Sequence, residues 1–167
     1  MKIPLKILVE GAICTAMSVA LSFIKLFSMP QGGSVSLAAL PLLIFALRRG
    51  AGPGFTAGFV TGVLRLFLGA YIIHPAQALL DYPLAYAALG FAGFFPHKKY
   101  FGVVCALLLN MAAAVLSGVV FFSSYAPQGT NVWLYSTVYN GTTVVPEIAI
   151  SCFLIYFLWP RLEKIDP

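Results

Sequence analysis

The chain has 167 residues, 60% hydrophobic and 14% aromatic, with only 9% charged, a net charge of +5 and a mean hydropathy of +0.94. Soluble domains carry about 25% charged residues, and ten basic and five acidic side chains cannot cover the surface of a water-soluble globule of 17.9 kDa. A soluble enzyme, a disordered protein and a nucleic-acid binder with its basicity on one face are thereby excluded, which leaves a polytopic membrane protein.

Continuous apolar runs, without the alternation of barrel strands, predict an all-α integral membrane protein. At about 20 residues per span, residues 1–167 hold six transmembrane helices in a single domain. They are predicted at 5–27, 35–47, 53–71, 76–95, 101–122 and 137–159. Residues 1–22 resemble a signal peptide in charge and hydropathy, but Glu10 interrupts the run and hydrophobicity continues to Phe27, so a retained first span is expected. The second span is short, as for a helix that is tilted, broken or shielded by neighbours. Cys14, Cys105 and Cys152 lie inside apolar stretches without metal-ligand or disulfide spacing and read as packing residues.

Lys2 and Lys6, Arg48 and Arg49, Lys98 and Lys99, and Arg161 and Lys164 fall at alternate span ends, so six spans bring all eight to one side. By the positive-inside rule both termini are cytoplasmic, and only Lys25 falls near the opposite side. The outer segments are then 28–34, 72–75 and 123–136, the last holding Tyr125, Trp133 and Tyr135. Trp159 adjoins the inner charges and reads as an interfacial aromatic.

Ala12, Ala16 and Ala20 recur at a spacing of four on the first span, and Gly50, Gly54, Gly58 and Gly62 on the third. Small-residue stripes let helix backbones approach closely, because lipid offers no hydrophobic drive for association. The glycine stripe is expected to pack within the chain. For the alanine stripe, packing within the chain and docking of a partner helix are both open.

A charge at a helix centre costs roughly 2.5–3.5 kcal/mol on insertion scales, so Arg65, Asp81 and Glu147 each need a partner or a function. Arg65 and Asp81 lie at similar depths on adjacent spans, which suits either a structural salt bridge or a carboxylate awaiting a cationic ligand. Gln77 and Asp81 share a face of the fourth span, Asn110 and Ser117 of the fifth, with Ala114 between them, and Asn140 and Glu147 of the sixth. With the outer aromatics, these faces predict one pocket for a small, flat, polar or cationic molecule. No catalytic set accompanies it. His74 and His97 fall on opposite sides, so no metal site is expected, and Gly50 to Gly58 lacks the Lys-Ser/Thr ending of a phosphate loop. Neither a cofactor nor an ATPase site is predicted.

Met29-Pro-Gln-Gly-Gly-Ser-Val-Ser36, His74-Pro-Ala-Gln-Ala-Leu-Leu-Asp-Tyr82, Ser117-Gly-Val-Val-Phe-Phe, Tyr125-Ala-Pro, Val132-Trp-Leu-Tyr-Ser and Tyr139-Asn-Gly resemble the thiamine-specific substrate-binding subunit of energy-coupling factor transporters, in order and over nearly the whole chain. The resemblance implies a six-helix vitamin-binding protein of the prokaryotic cell membrane, with its site near the outer face and no enzymatic activity of its own. Thiamine carries a permanent positive charge on its thiazolium ring. The family's acidic residue and following tyrosine map to Asp81 and Tyr82, its stacking aromatic to Phe122, and further contacts to Tyr71, Tyr135 and Asn140. Trp133, Glu147, Gln77 and Ala114 complete the expected site. At Ala114 the family typically has a ligand-contacting histidine, a departure that leaves room for a precursor or phosphate ester of thiamine. The implied partners are a transmembrane coupling subunit and two ATPase subunits, with Ala12, Ala16 and Ala20 as the docking face. The competing expectation is a stand-alone proton-coupled transporter using Asp81 and Glu147; a membrane enzyme is a weaker third.

Overall fold

The computed structural model describes residues 4–30 and 33–164. Lys2 of the basic set, and Gln31 and Gly32 of the first quoted motif, lie outside the described residues. The chain is mostly helical. Helix α1, Leu5–Ser22, starts after Pro4, whose carbonyl accepts from Ile7 N and Leu8 N. It ends five residues short of the predicted 27. Lys25–Ser28 instead forms strand β1, antiparallel to β2, Ser34–Ser36. A short apolar run carries no periodicity that separates a helical turn from a strand, and here the turn closes through Met29 N donating to Gly33 O at 3.0 Å, with Gly33 at φ 83°.

Helix α2, Ala39–Arg49, is short, and of the three alternatives, tilted, broken or shielded, burial fits the last: Leu42, Leu43, Phe45 and Ala46 are all at or below 3% exposure, so neighbouring helices shield it. Val35, predicted as its first residue, belongs to β2. Gly50 alone, at φ 90°, turns the chain into α3, Ala51–Phe67. The glycine stripe packs within the chain. A Cβ on Gly58 would fall 2.9 Å from Ala87 Cα, and one on Gly62 would fall 2.6 Å from Pro83 Cα, so the fourth segment lies backbone to backbone on α3.

That fourth segment is irregular. It runs from α4, Pro75–Leu79, through a π turn at Leu80–Leu84, into α5, Ala85–Ala88, and a 3₁₀ stretch at Leu89–Phe94. Pro83 has no N–H to give to a regular helix, and the wider π turn accommodates it while carrying Asp81 and Tyr82. After a 3₁₀ turn at Pro96–Lys98 come α6, Lys99–Phe121, and α7, Val132–Leu162. Helix α7 starts five residues before the predicted 137 because Asn131 caps it, its side chain accepting from Trp133 N at 2.9 Å and Leu134 N at 3.3 Å. Among the described residues, three helices are long and apolar enough to cross a membrane: Leu5–Ser22, Pro96–Phe121 and Val132–Leu162.

The packed core fills one end of the bundle, where Leu43, Leu89, Leu107, Val103 and Ile155 are almost completely buried. Basic residues gather at the same end. Arg49 holds Glu10 through two hydrogen bonds of 2.5 and 2.7 Å, tying the start of α1 to the end of α2. The Lys99 ammonium lies 5.1 Å from the Trp159 ring centre. Trp159 is no membrane-facing aromatic: it is 8% exposed, and its indole N–H donates to Glu163. Cys14, Cys105 and Cys152 are free thiols, the first and last packed against the core.

Candidate functional site

At the opposite end the helices separate around a cavity of about 410 Å³. Its floor is apolar, from Ala38, Ala39, Leu89 and Val144, and its walls are polar. The three polar faces read from helical spacing all meet here: Gln77 and Asp81 from the fourth segment, Asn110 and Ser117 from α6, Asn140 and Glu147 from α7.

Gln77 organises the first wall. It is 1% exposed, donates from Nε2 to Asp81 Oδ2 at 2.6 Å and to Tyr71 O at 3.1 Å, and accepts from Ile73 N at 3.1 Å. The Tyr82 hydroxyl accepts from Tyr71 N at 2.9 Å. Segment 71–73 is therefore fastened to the same helix turns that carry the carboxylate. Tyr71, Phe122 and Tyr125 stack in sequence, with ring centres 6.4 and 6.0 Å apart, across the mouth of the cavity. Tyr135 and Tyr139 stack at 6.0 Å on the α7 side. His74 serves the local fold, its Nδ1 accepting from Ala76 N at 3.1 Å as the cap of α4 and its ring lying 5.0 Å from that of Phe121.

Asp81 and Arg65 both line the cavity, yet among the described residues they form no ion pair. Arg65 Nη1 donates to Ser22 Oγ at 2.5 Å, and its guanidinium lies 5.8 Å from the Phe23 ring centre. Asp81 is held by a neutral amide, which removes the structural salt bridge as an account of its burial. Glu147 Oε1 accepts from Ser36 N at 3.1 Å, so the α7 carboxylate fastens the β1–β2 hairpin over the cavity. Lys25, from β1, also lines it.

Tyr71, Gln77, Asp81, Tyr82, Ala114, Phe122, Tyr135, Asn140 and Glu147 all line this one space. Trp133 does not: it sits on the first turn of α7, 57% exposed, outside the lining. Sequence reasoning missed Tyr86 and Tyr139, although each lies four residues from a named tyrosine and so on its helical face. Lys25 and Ser36 had no local signal, since only the hairpin brings them here. The alanine stripe is exposed: Ala12, Ala16 and Ala20 lie on the free face of α1, while Thr15, Ser18 and Ser22 face inward.

The sequence matches the family described as Thiamine transporter protein (Thia_YuaJ) over residues 8–166. It is 41% identical over 181 aligned positions to the thiamine transporter ThiT of Bacillus subtilis, covering 95% of this chain and 94% of that one. To ThiT of Lacticaseibacillus paracasei it is 32% identical, covering 90% and 85%. The fold is similar to a solved structure of ThiT from Listeria monocytogenes, with a TM-score of 0.87, 30% identity and 96% of each chain covered.

Proposed function

The chain belongs to the thiamine transporter protein family, and from that membership we propose that it captures thiamine, or a close derivative, in the cavity beside Asp81 as the substrate-binding subunit of an energy-coupling factor importer. It is a membrane transport protein rather than an enzyme. The observation that carries the reading is the state of Asp81: a carboxylate in a cavity wall, with one oxygen held by Gln77 and no guanidinium partner among the described residues. A permanently cationic ring supplies the missing charge, and in a desolvated site such a contact is stronger than a neutral hydrogen bond. Tyr82, Tyr71, Phe122 and Tyr135 give aromatic faces to the thiazolium and pyrimidine rings. Asn140, Gln77 and Glu147 set the polar walls, and Ala114 leaves a gap on the α6 side.

In this reading six membrane segments place both termini in the cytoplasm of a prokaryotic cell, with the cavity opening outward. The exposed Ala12, Ala16 and Ala20 face docks a transmembrane coupling subunit, and two ATPase subunits drive reorientation. The stand-alone proton-coupled reading is disfavoured by Glu147, whose carboxylate is committed to the Ser36 backbone.

Calorimetric titration of thiamine into the purified chain, without any ion gradient, tests the proposal. Saturable tight binding is expected, with uptake into cells only when coupling and ATPase subunits are co-expressed. Uptake by the lone chain that collapses with an uncoupler would overturn the importer reading.

A further inference from the structure

We propose that the Ser117 hydroxyl hydrogen-bonds the molecule in the cavity, making it a specificity-determining group on the α6 wall; this rests on the cavity being the thiamine site. Ser117 is 1% exposed and lines the cavity, and its Oγ makes no well-formed hydrogen bond within the chain; the polar group it faces is the Asp81 carboxyl, itself part of the cavity wall. Buried hydroxyls are almost always satisfied, and those around it are. Ser18 donates to Ala38 O at 2.6 Å, Ser22 to Val19 O at 2.6 Å, Ser136 to Val115 O at 3.0 Å and Thr143 to Asn140 O at 2.9 Å.

The other polar groups of that wall are already committed. Asn110, two helical turns away on α6, donates to Ala85 O at 2.9 Å, and Gln77 spends its amide on Tyr71, Ile73 and Asp81. Ala114, one turn before Ser117 on the same face, presents only a methyl. A heterocycle lying against α6 therefore meets a single uncommitted hydroxyl, adjacent to the carboxylate. Thiamine carries ring nitrogens, an amino group and a hydroxyl, and any of these can complete the bond.

The test compares wild type, Ser117→Ala and Ser117→Cys in detergent, reading thiamine affinity by calorimetry and the ligand-free melting temperature. Ser117→Ala is expected to weaken thiamine binding roughly three- to tenfold, the usual range for one hydrogen bond. Ser117→Cys, which keeps the shape but is a weak donor, should lose affinity in the same direction. Neither should lower the ligand-free melting temperature appreciably, because the hydroxyl makes no well-formed hydrogen bond in the ligand-free protein. Unchanged affinity in Ser117→Ala overturns the inference and leaves the thiamine reading intact, as does a fall in ligand-free melting temperature with affinity unchanged. A wild type that binds no thiamine removes both.

Discussion

The Gln77 amide holds the Asp81 carboxylate at 2.6 Å while reaching Tyr71 O with the same nitrogen. One neutral side chain thus fixes both an anion in the cavity wall and the aromatic segment at its mouth. Gln77→Leu removes three hydrogen bonds at a site 1% exposed. At 0.5–1.5 kcal/mol each, the loss is expected to be about 2–4 kcal/mol of stability, read as a lower melting temperature. Thiamine affinity should fall with it, because Tyr71 and Asp81 are released together.

Asp81→Asn tests the charge without the geometry. The asparagine oxygen still accepts from Gln77, so the ligand-free melting temperature should hold. Thiamine binding should weaken by at least about 1.5 kcal/mol, roughly tenfold, as a charge-assisted contact becomes neutral. Unchanged affinity in a calorimetric titration would return Asp81 to a structural role.

Gly62→Ala probes the seam between α3 and the π turn. Its Cβ would fall 2.6 Å from both Pro83 Cα and the Tyr82 carbonyl carbon, which are backbone atoms that cannot rotate away. Overpacking of this kind costs typically 1–3 kcal/mol, and the turn that must shift carries Asp81. Both the melting temperature and thiamine affinity are expected to drop, whereas Gly52→Ala, with nothing within 4 Å of its Cβ, should change neither.

Ala114→His adds a ring with two nitrogens to the cavity wall. A tightening of thiamine binding by up to about tenfold is expected from one added hydrogen bond, measured by the same titration. Weaker binding with an unchanged melting temperature would show that the gap is already filled by the ligand.

Ala16→Leu enlarges the exposed face of α1 at a distance from the cavity. Thiamine binding by the purified protein should be unaffected, while uptake by cells carrying the coupling and ATPase subunits should fail, since a bulky residue prevents close helix approach. Retained uptake would exclude this face as the docking surface.

Hydropathy made the helical character legible, and three of the predicted apolar segments correspond to helices long and apolar enough to cross a membrane among the described residues, because lipid exposure selects long apolar runs whatever the tertiary packing. The polar cavity was legible for a related reason: residues four or seven apart share a helix face, so Gln77 with Asp81 and Asn140 with Glu147 were already grouped. The hairpin at 25–36 was not legible, since pairing of Phe27 with Val35 is a relation between two short runs and neither declares it alone. The early start of α7 was available in Asn131, a strong capping residue passed over because the polar residues around it read as loop. Trp133 was misplaced with it, taken as a pocket aromatic when the first helical turn directs it outward.

The π turn at Leu80–Leu84 has a consequence for chain length. An α-helix advances by about 100° per residue, so one surplus amino acid in that turn sets the angular phase between the helical turns on its two sides. Upstream lie Gln77 and the cap at His74; downstream, Gly90 nests against Phe55 on α3 and admits no rotation. Deleting a single residue there would regularise the helix, yet swing the anion-bearing turn about a quarter-circle away from the space it serves. In this stretch the number of residues matters as much as their identity.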